Sequence, residues 1–146
     1  MTAAVLRPPV HATVLAFDFG ARRIGVAVGN TLTRAAQPLA TIDEPASAAR
    51  FVAIGALVHT WQPDLLVVGV PVHADGTPHP MTSRAQRFAR QLGGRFALPV
   101  DEVDERHTSE LARAALSGRG RAGRGERDAV AAQLILQSWL DERQPA

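Results

Sequence analysis

Val14-Leu15-Ala16-Phe17-Asp18-Phe19-Gly20-Ala21-Arg22-Arg23-Ile24-Gly25-Val26-Ala27-Val28-Gly29 carries the strongest structural signal in the chain. Two apolar runs rich in β-branched and aromatic residues flank a Gly-containing turn, Gly20-Ala21-Arg22-Arg23. This pattern predicts strands over Val14–Phe19 and Ile24–Gly29 joined as a hairpin. One carboxylate, Asp18, is displayed near the end of the first strand. An acid held on a rigid sheet is well placed to bind a divalent cation, so the rest of the chain is read for partners to Asp18.

Further along, Ala35–Ile42 reads as a third strand, and Pro38 within it suits only an edge. Pro45 is expected to open a helix running to about Thr60, with Phe51, Ile54, Val58 and Trp61 as its inner stripe. Leu65–Val70 is a continuous apolar run, as in a strand buried on both faces. Pro71 to Pro80 is a loop. A second helix follows, presenting Met81, Ala85, Phe88 and Leu92 inward and ending at Gly93-Gly94. Pro99–Val103 predicts a short strand. Thr108 or Ser109 would cap a third helix with Glu110 in its first turn. Ser117 to Gly125 is a Gly/Arg loop, and the last helix spans Glu126 to about Asp141, burying Ala132, Leu136, Trp139 and Leu140. The resulting order, β-β-β-α-β-α-β-α-α, predicts an α/β fold with a mixed sheet flanked by helices.

The 146 residues suit one domain. Residues 14–142 are expected to form it, with 1–13 as a poorly ordered extension. The absence of cysteine excludes thiolate metal sites. No apolar run approaches the ~20 residues that span a bilayer, and the start lacks the apolar region of a secretory signal. No membrane role is expected, and a cytoplasmic location is. The formal net charge is only +2, yet every basic residue is Arg. Coding bias explains such usage, but Arg also suits bidentate phosphate contacts.

Three acids stand at element ends: Asp18, the Asp104-Glu105 pair after the last strand, and Asp128 in the first turn of the final helix. Asp128 lies four residues before Ala132 and eight before Leu136, so it heads the apolar stripe and points to the sheet. Each alone has an ordinary explanation as a turn former, a solvated charge or a helix-dipole partner. Together they fit the carboxyl edge of one parallel sheet, where sites gather. Clustered carboxylates need compensating charge, which Mg²⁺ or Mn²⁺ supplies through oxygen ligands. Two such ions about 4 Å apart can hold the attacking and leaving oxygens of a phosphodiester displacement, with no nucleophilic side chain required. Arg119, Arg121 and Arg124 in the Gly/Arg loop, with Arg22 and Arg23 in the hairpin turn, are candidate backbone contacts for a nucleic acid. Gly69-Val70-Pro71 reads equally as a cleft border or a plain turn. Asp75-Gly76 reads as a turn, His73 and His79 as loop residues, and Trp61 and Trp139 as core.

These motifs resemble the YqgF (RuvX-type) family of RNase H-like nucleases. The likeness rests on Phe17-Asp18-Phe19-Gly20 with Arg23-Ile24-Gly25-Val26-Ala27-Val28, Val68-Gly69-Val70-Pro71, Asp75-Gly76, Asp104-Glu105-Arg106 and Asp128-Ala129-Val130-Ala131-Ala132. It runs from about Val14 to Leu140. The resemblance implies an RNase H-like three-layer fold with a five-stranded mixed sheet. It also implies a nuclease that hydrolyses phosphodiester bonds in 5′-end processing of pre-16S ribosomal RNA. The acids at the family positions are Asp18, Glu105 and Asp128, with Asp104 as the alternative to Glu105. The chain departs from the family at His107, Asn30 and Val70, where Leu, an acid and Leu are common. Two further readings stand beside this one: a Holliday-junction resolvase acting on branched DNA, which would need a dimer, and a non-catalytic RNA-binding or transcription-associated factor. A monomer or a homodimer is compatible with the leading reading. The Asp-x-Gly turn is also similar to that of actin-like ATPases, but those close two such domains around nucleotide.

Overall fold

A computed structural model describes residues 11–105 and 124–142, with the side chains of 124 and 125 outside that description. Five strands form one sheet in the order β3-β2-β1-β4-β5. They are β1 (Thr13–Phe19), β2 (Arg23–Asn30), β3 (Ala35–Asp43), β4 (Leu65–Val70) and β5 (Val100–Asp104). β2 is antiparallel to both β1 and β3, while β4 is parallel to β1 and to β5. The expected mixed sheet is present, and the hairpin lies where the sequence places it.

Side chains alternate across the strands and divide the core in two. Val14, Ala16, Ala27, Val67 and Val103 pack with Ala132, Ile135, Leu136, Trp139 and Leu140 of helix α3 (Arg124–Glu142). Leu15, Phe17, Ile24, Val26, Leu66 and Val68 pack on the opposite face. There they meet Phe51 and Ile54 of α1 (Ser47–Trp61) and Phe88, Ala89 and Leu92 of α2 (Thr82–Phe96). This is a three-layer α/β arrangement. β4 is buried along its whole length, as its unbroken apolar run requires.

β3 takes the edge position expected from Pro38. The β2–β3 register shifts between Val26, paired with Ala40, and Ala27, paired with Pro38. Leu39 is therefore the extra residue of a bulge beside the proline, which cannot donate to a ladder. The edge is held by side-chain amides of α3. Gln133 Nε2 donates to the Ala36 carbonyl (3.0 Å), the Ala36 amide donates to Gln137 Oε1 (3.1 Å), and Gln137 Nε2 donates to the Arg34 carbonyl (3.0 Å).

Several boundaries differ from the sequence reading. α1 begins at Ser47, two residues after Pro45, and ends on Gln62 in the left-handed conformation at φ 48°. Its Trp61 is 40% exposed and not a core residue: it is the last residue of α1 and faces Val28 and Gln37 of the sheet across an open cleft. Trp139, by contrast, is fully buried. Met81 precedes α2, and the helix passes through Gly93-Gly94 to Phe96 before Ala97 ends it at φ 53°. Tertiary packing overrides the two glycines: Phe96 packs against the core beside Gly55, whose position is free of a Cβ. β5 is displaced by one residue, to Val100–Asp104. α3 begins at Arg124, so residues 124 and 125 are helical and Asp128 lies in its second turn, not its first. The proposed cap at Thr108 or Ser109, with Glu110, lies outside the described residues, as do residues 1–10 of the expected extension. At the start of the description, Ala12 is already buried and its amide donates to Thr31 Oγ1 at 2.8 Å.

Candidate active site at the carboxyl edge of the sheet

Asp18 is the penultimate residue of β1 and shares the α3-facing side of the sheet with Val14 and Ala16. Its lateral neighbours in the sheet are both glycines: Gly25 across the antiparallel ladder and Gly69 across the parallel one. Each empty position is used. A Cβ on Gly25 would stand 1.8 Å from the backbone oxygen of Asp128, so the glycine lets α3 seat its second turn directly on β2. A Cβ on Gly69 would stand 2.9 Å from both Cγ and Cδ of Glu105, so the Glu105 side chain lies over β4 beside Asp18. The missing Cβ atoms on either side of Asp18 thus admit the elements that carry the other two acids. Gly69 borders the site and is more than a strand-to-loop turn.

Glu105 follows β5 and is anchored by its amide, which donates to the Val70 carbonyl at 3.1 Å. By alternation it shares a face with Val103 and Asp101, while Asp104 is exposed. Of the Asp104-Glu105 pair, Glu105 is the member that meets Asp18. The two carboxyls interact as a hydrogen-bonded pair, which a proton on one of them allows. Burial pushes Glu105 up to about 9, reinforced by the charge of Asp18, the hydrogen bond and Asp104. Burial likewise raises Asp18 to about 6; the hydrogen bond opposes that rise and the charge of Asp128 adds to it. Two carboxyls this close disfavour ionising together.

Asp128 points to the sheet as its place on the stripe predicts, but it has a partner the sequence reading did not assign. Arg23 Nε donates to Asp128 Oδ2 at 2.9 Å, with both side chains about one-quarter exposed (24% and 27%). Arg23 is therefore engaged by an acid in this structure. Arg22 is displayed: it pairs with Asp43 at 3.2 Å, with 71% and 54% of the two side chains exposed. Such a surface pair contributes little and is readily exchanged. Arg119 and Arg121 lie outside the described residues. Arg124 starts α3, and its side chain lies outside the description.

Among the described residues, no group of three or more histidines and acids stands at metal-ligand spacing. What the site does show is a pair of half-buried carboxyls in contact, with Asp128 close enough to Asp18 to act on it electrostatically. All donors are carboxylate oxygens, which suits a hard divalent cation. A divalent cation held by Asp18 and Glu105 would offset their mutual repulsion, and Asp128 is held by Arg23.

The loop turn at Asp75-Gly76 is present. The Thr77 amide and hydroxyl both donate to Asp75 Oδ1, at 2.9 and 2.7 Å, and Gly76 adopts φ 90°. His73 and His79 sit in this loop with ring centroids 5.2 Å apart. The His79 ring nitrogen Nδ1 accepts from the Met81 amide.

A family model described as "RuvX: Holliday junction resolvase" matches residues 12–142. The chain belongs to the RuvX family. A protein of Burkholderia pseudomallei (strain 668) named "Putative pre-16S rRNA nuclease" is 55% identical over 141 residues, covering 97% of this chain and 94% of that one. A protein of Burkholderia cenocepacia (strain HI2424) with the same name is 54% identical over 134 residues, covering 90% of each. Among solved structures, Thermus thermophilus RuvC in complex with a Holliday junction substrate superposes with a TM-score of 0.57 over 91% of this chain and 96% of that one. At 16% identity, this likeness shows the fold alone, and the fold is the RNase H-like one that the motifs imply. No described helix of this RuvX-family chain is long and apolar enough to cross a membrane.

Proposed function

We infer that this RuvX-family chain is a nuclease hydrolysing phosphodiester bonds in 5′-end processing of pre-16S ribosomal RNA, with Asp18, Glu105 and Asp128 as its catalytic acids. The observation that carries the site assignment is the half-buried Asp18–Glu105 pair, built on Gly25 and Gly69 at the sheet's carboxyl edge. The names of relatives more than half identical over nearly the whole chain support the nuclease reading and point to RNA.

Asp18 and Glu105 would hold Mg²⁺ or Mn²⁺, in a one- or two-ion site completed by Asp128. The bound cations would supply Lewis-acid stabilisation of a phosphodiester displacement. The protein's own contribution is positional. The sheet fixes Asp18, the Val70 carbonyl fixes the backbone of Glu105, and Arg23 orients Asp128 and offsets its charge until substrate is bound. Arg22, on the exposed turn, exchanges Asp43 for a phosphate of the strand. Arg119, Arg121 and Arg124 extend that phosphate track from the other side.

The decisive experiment incubates purified protein with precursor 16S ribosomal RNA and Mn²⁺. Asp18→Asn is expected to lose cleavage by more than the ~10–100-fold that follows loss of an outer partner of a metal ligand, with RNA binding retained. Cleavage by the variant at the wild-type rate removes Asp18 from the mechanism. The description of the matching family model favours a second reading, resolution of branched DNA. A four-way junction assayed beside the RNA separates the two, and junction cleavage without RNA cleavage selects the second.

A further inference from the structure

Asp18 and Phe19 are consecutive in β1, so their side chains leave the sheet on opposite faces. On the face away from the acids, Phe19 opens into a cleft of about 270 Å³ between α1 and α2. Its walls include Arg50, Arg84, Arg87, Phe51 and Phe88, and none of its lining residues is acidic.

The three arginines differ in how they are held. Arg50 is buried and rigid: its guanidinium donates to the carbonyls of Glu44 and Gly20 and lies 5.3 Å from the Phe19 ring centroid. Arg84 is exposed on α2 and lies 5.9 Å from the same ring. Arg87 is exposed one turn further on. Among the described residues, no carboxylate forms an ion pair with any of the three. Burial and the charge of Arg84 both depress the ionisation of Arg50. Like charges gathered at a concave site without a counter-ion create a potential that an anion would relieve.

The shape narrows the class of anion. Typical small-molecule pockets occupy ~300–1,000 Å³, so this cleft admits about one nucleotide and excludes a duplex. Arginine forks match phosphate oxygens, and guanidinium planes and aromatic rings stack on nucleobases. We propose that the Phe19–Arg50–Arg84–Arg87 cleft is a second binding site, separate from the acids, for a single nucleoside monophosphate unit. That unit is either a free nucleotide or the phosphorylated end of a strand; the recognising chemistry is the same.

Calorimetric titration of the whole protein in EDTA tests this without calling on the acid site, so its outcome is independent of the nuclease reading. Adenosine 5′-monophosphate is expected to bind saturably, at least ~10-fold more tightly than either adenosine or inorganic phosphate, a factor of ten being about 1.4 kcal/mol. The double variant Arg84→Gln/Arg87→Gln is expected to weaken that binding by ~10-fold or more. Both residues are exposed, so the variant keeps its core, and an unchanged circular-dichroism melting curve checks this. A 5′-phosphorylated single-stranded RNA that displaces the mononucleotide, where its 5′-hydroxyl counterpart does not, identifies a strand end as the ligand. Failure of displacement identifies a free nucleotide; either result keeps the site. Absence of saturable binding, equal binding of adenosine or inorganic phosphate, or undiminished binding by the double variant overturns the proposal.

Discussion

Among the described glycines compared, Gly25 carries the most severe steric demand. It brings the backbone of α3 closer to β2 than any side chain would permit, and that approach places Asp128 next to Arg23 and Asp18. Gly25→Ala is expected to force α3 away from the sheet, at a cost at the upper end of the ~1–3 kcal/mol of ordinary overpacking or beyond it. The blocking atom is backbone and cannot rotate aside. Urea denaturation of the variant beside wild type measures this, and an unchanged midpoint would show that α3 does not rest on Gly25. Gly69 makes a milder demand. There the clash is with the side chain of Glu105 and the tip of Ile135, which have some freedom to move. Its replacement should therefore disturb the acid pair more than the fold.

At the scale of elements, α3 is the part that completes both core and site. Its apolar residues fill one face of the sheet, its glutamines hold the β3 edge, and Trp139 Nε1 donates to Asp101 Oδ2 of β5 at 2.8 Å. A single helix thus spans from β3 to β5. Truncating the fully buried Trp139 to Ala should cost about 3–5 kcal/mol and loosen both β5 and the adjacent Glu105. Thermal unfolding should report the loss, and the binding of Mn²⁺ should weaken with it. Trp139→Phe, which keeps most of the volume and lacks the donor, should recover most of the stability. The helix bounds explain why the sequence reading of Asp128 needed amendment. With α3 starting at Arg124, Asp128 lies beyond the turn where the helix dipole would favour it most, and its place is set by Arg23 and the sheet.

For the molecule as a whole, the acid pair makes stability depend on pH in a direction opposite to the usual carboxylate case. Folding raises Asp18 from 3.8 to about 6 and Glu105 from 4.5 to about 9. The folded chain therefore binds more protons than the unfolded one across that range, and its stability falls as pH rises from about 4 toward 9. In chelator, the melting temperature should be higher near pH 5 than near pH 8.5. Asp18→Asn should flatten this dependence and raise the melting temperature at the alkaline end. Millimolar Mg²⁺ or Mn²⁺ should stabilise wild type at pH 8.5 and have little effect on Asp18→Asn, since a ligand that binds only the folded state stabilises it by mass action. A flat profile in chelator would mean that the two carboxyls do not share their pocket as the structure has it.

Readable in the chain alone are the hairpin, the edge position of β3, the buried β4, the amphipathic α1, α2 and α3, and Asp18 and Glu105 at strand ends. All of these follow from local chemistry: side-chain alternation, helical periodicity, proline's missing donor and the turn preference of glycine. The same local rules misplaced the end of α2 and the burial of Trp61, because packing between distant segments decides how far a helix runs and which part of its stripe is covered. The fold, by contrast, sets Glu105 beside Asp18, pairs Arg23 with Asp128 and seats Arg50 near Arg84. Each depends on which face of a strand a side chain leaves from and on what stands across the sheet from it. Asp18 was visible as an acid on a strand. That it lies between two glycines, which clear space for Glu105 on one side and for the backbone of Asp128 on the other, is a property of strand register, and register is fixed only when the whole sheet closes around its core.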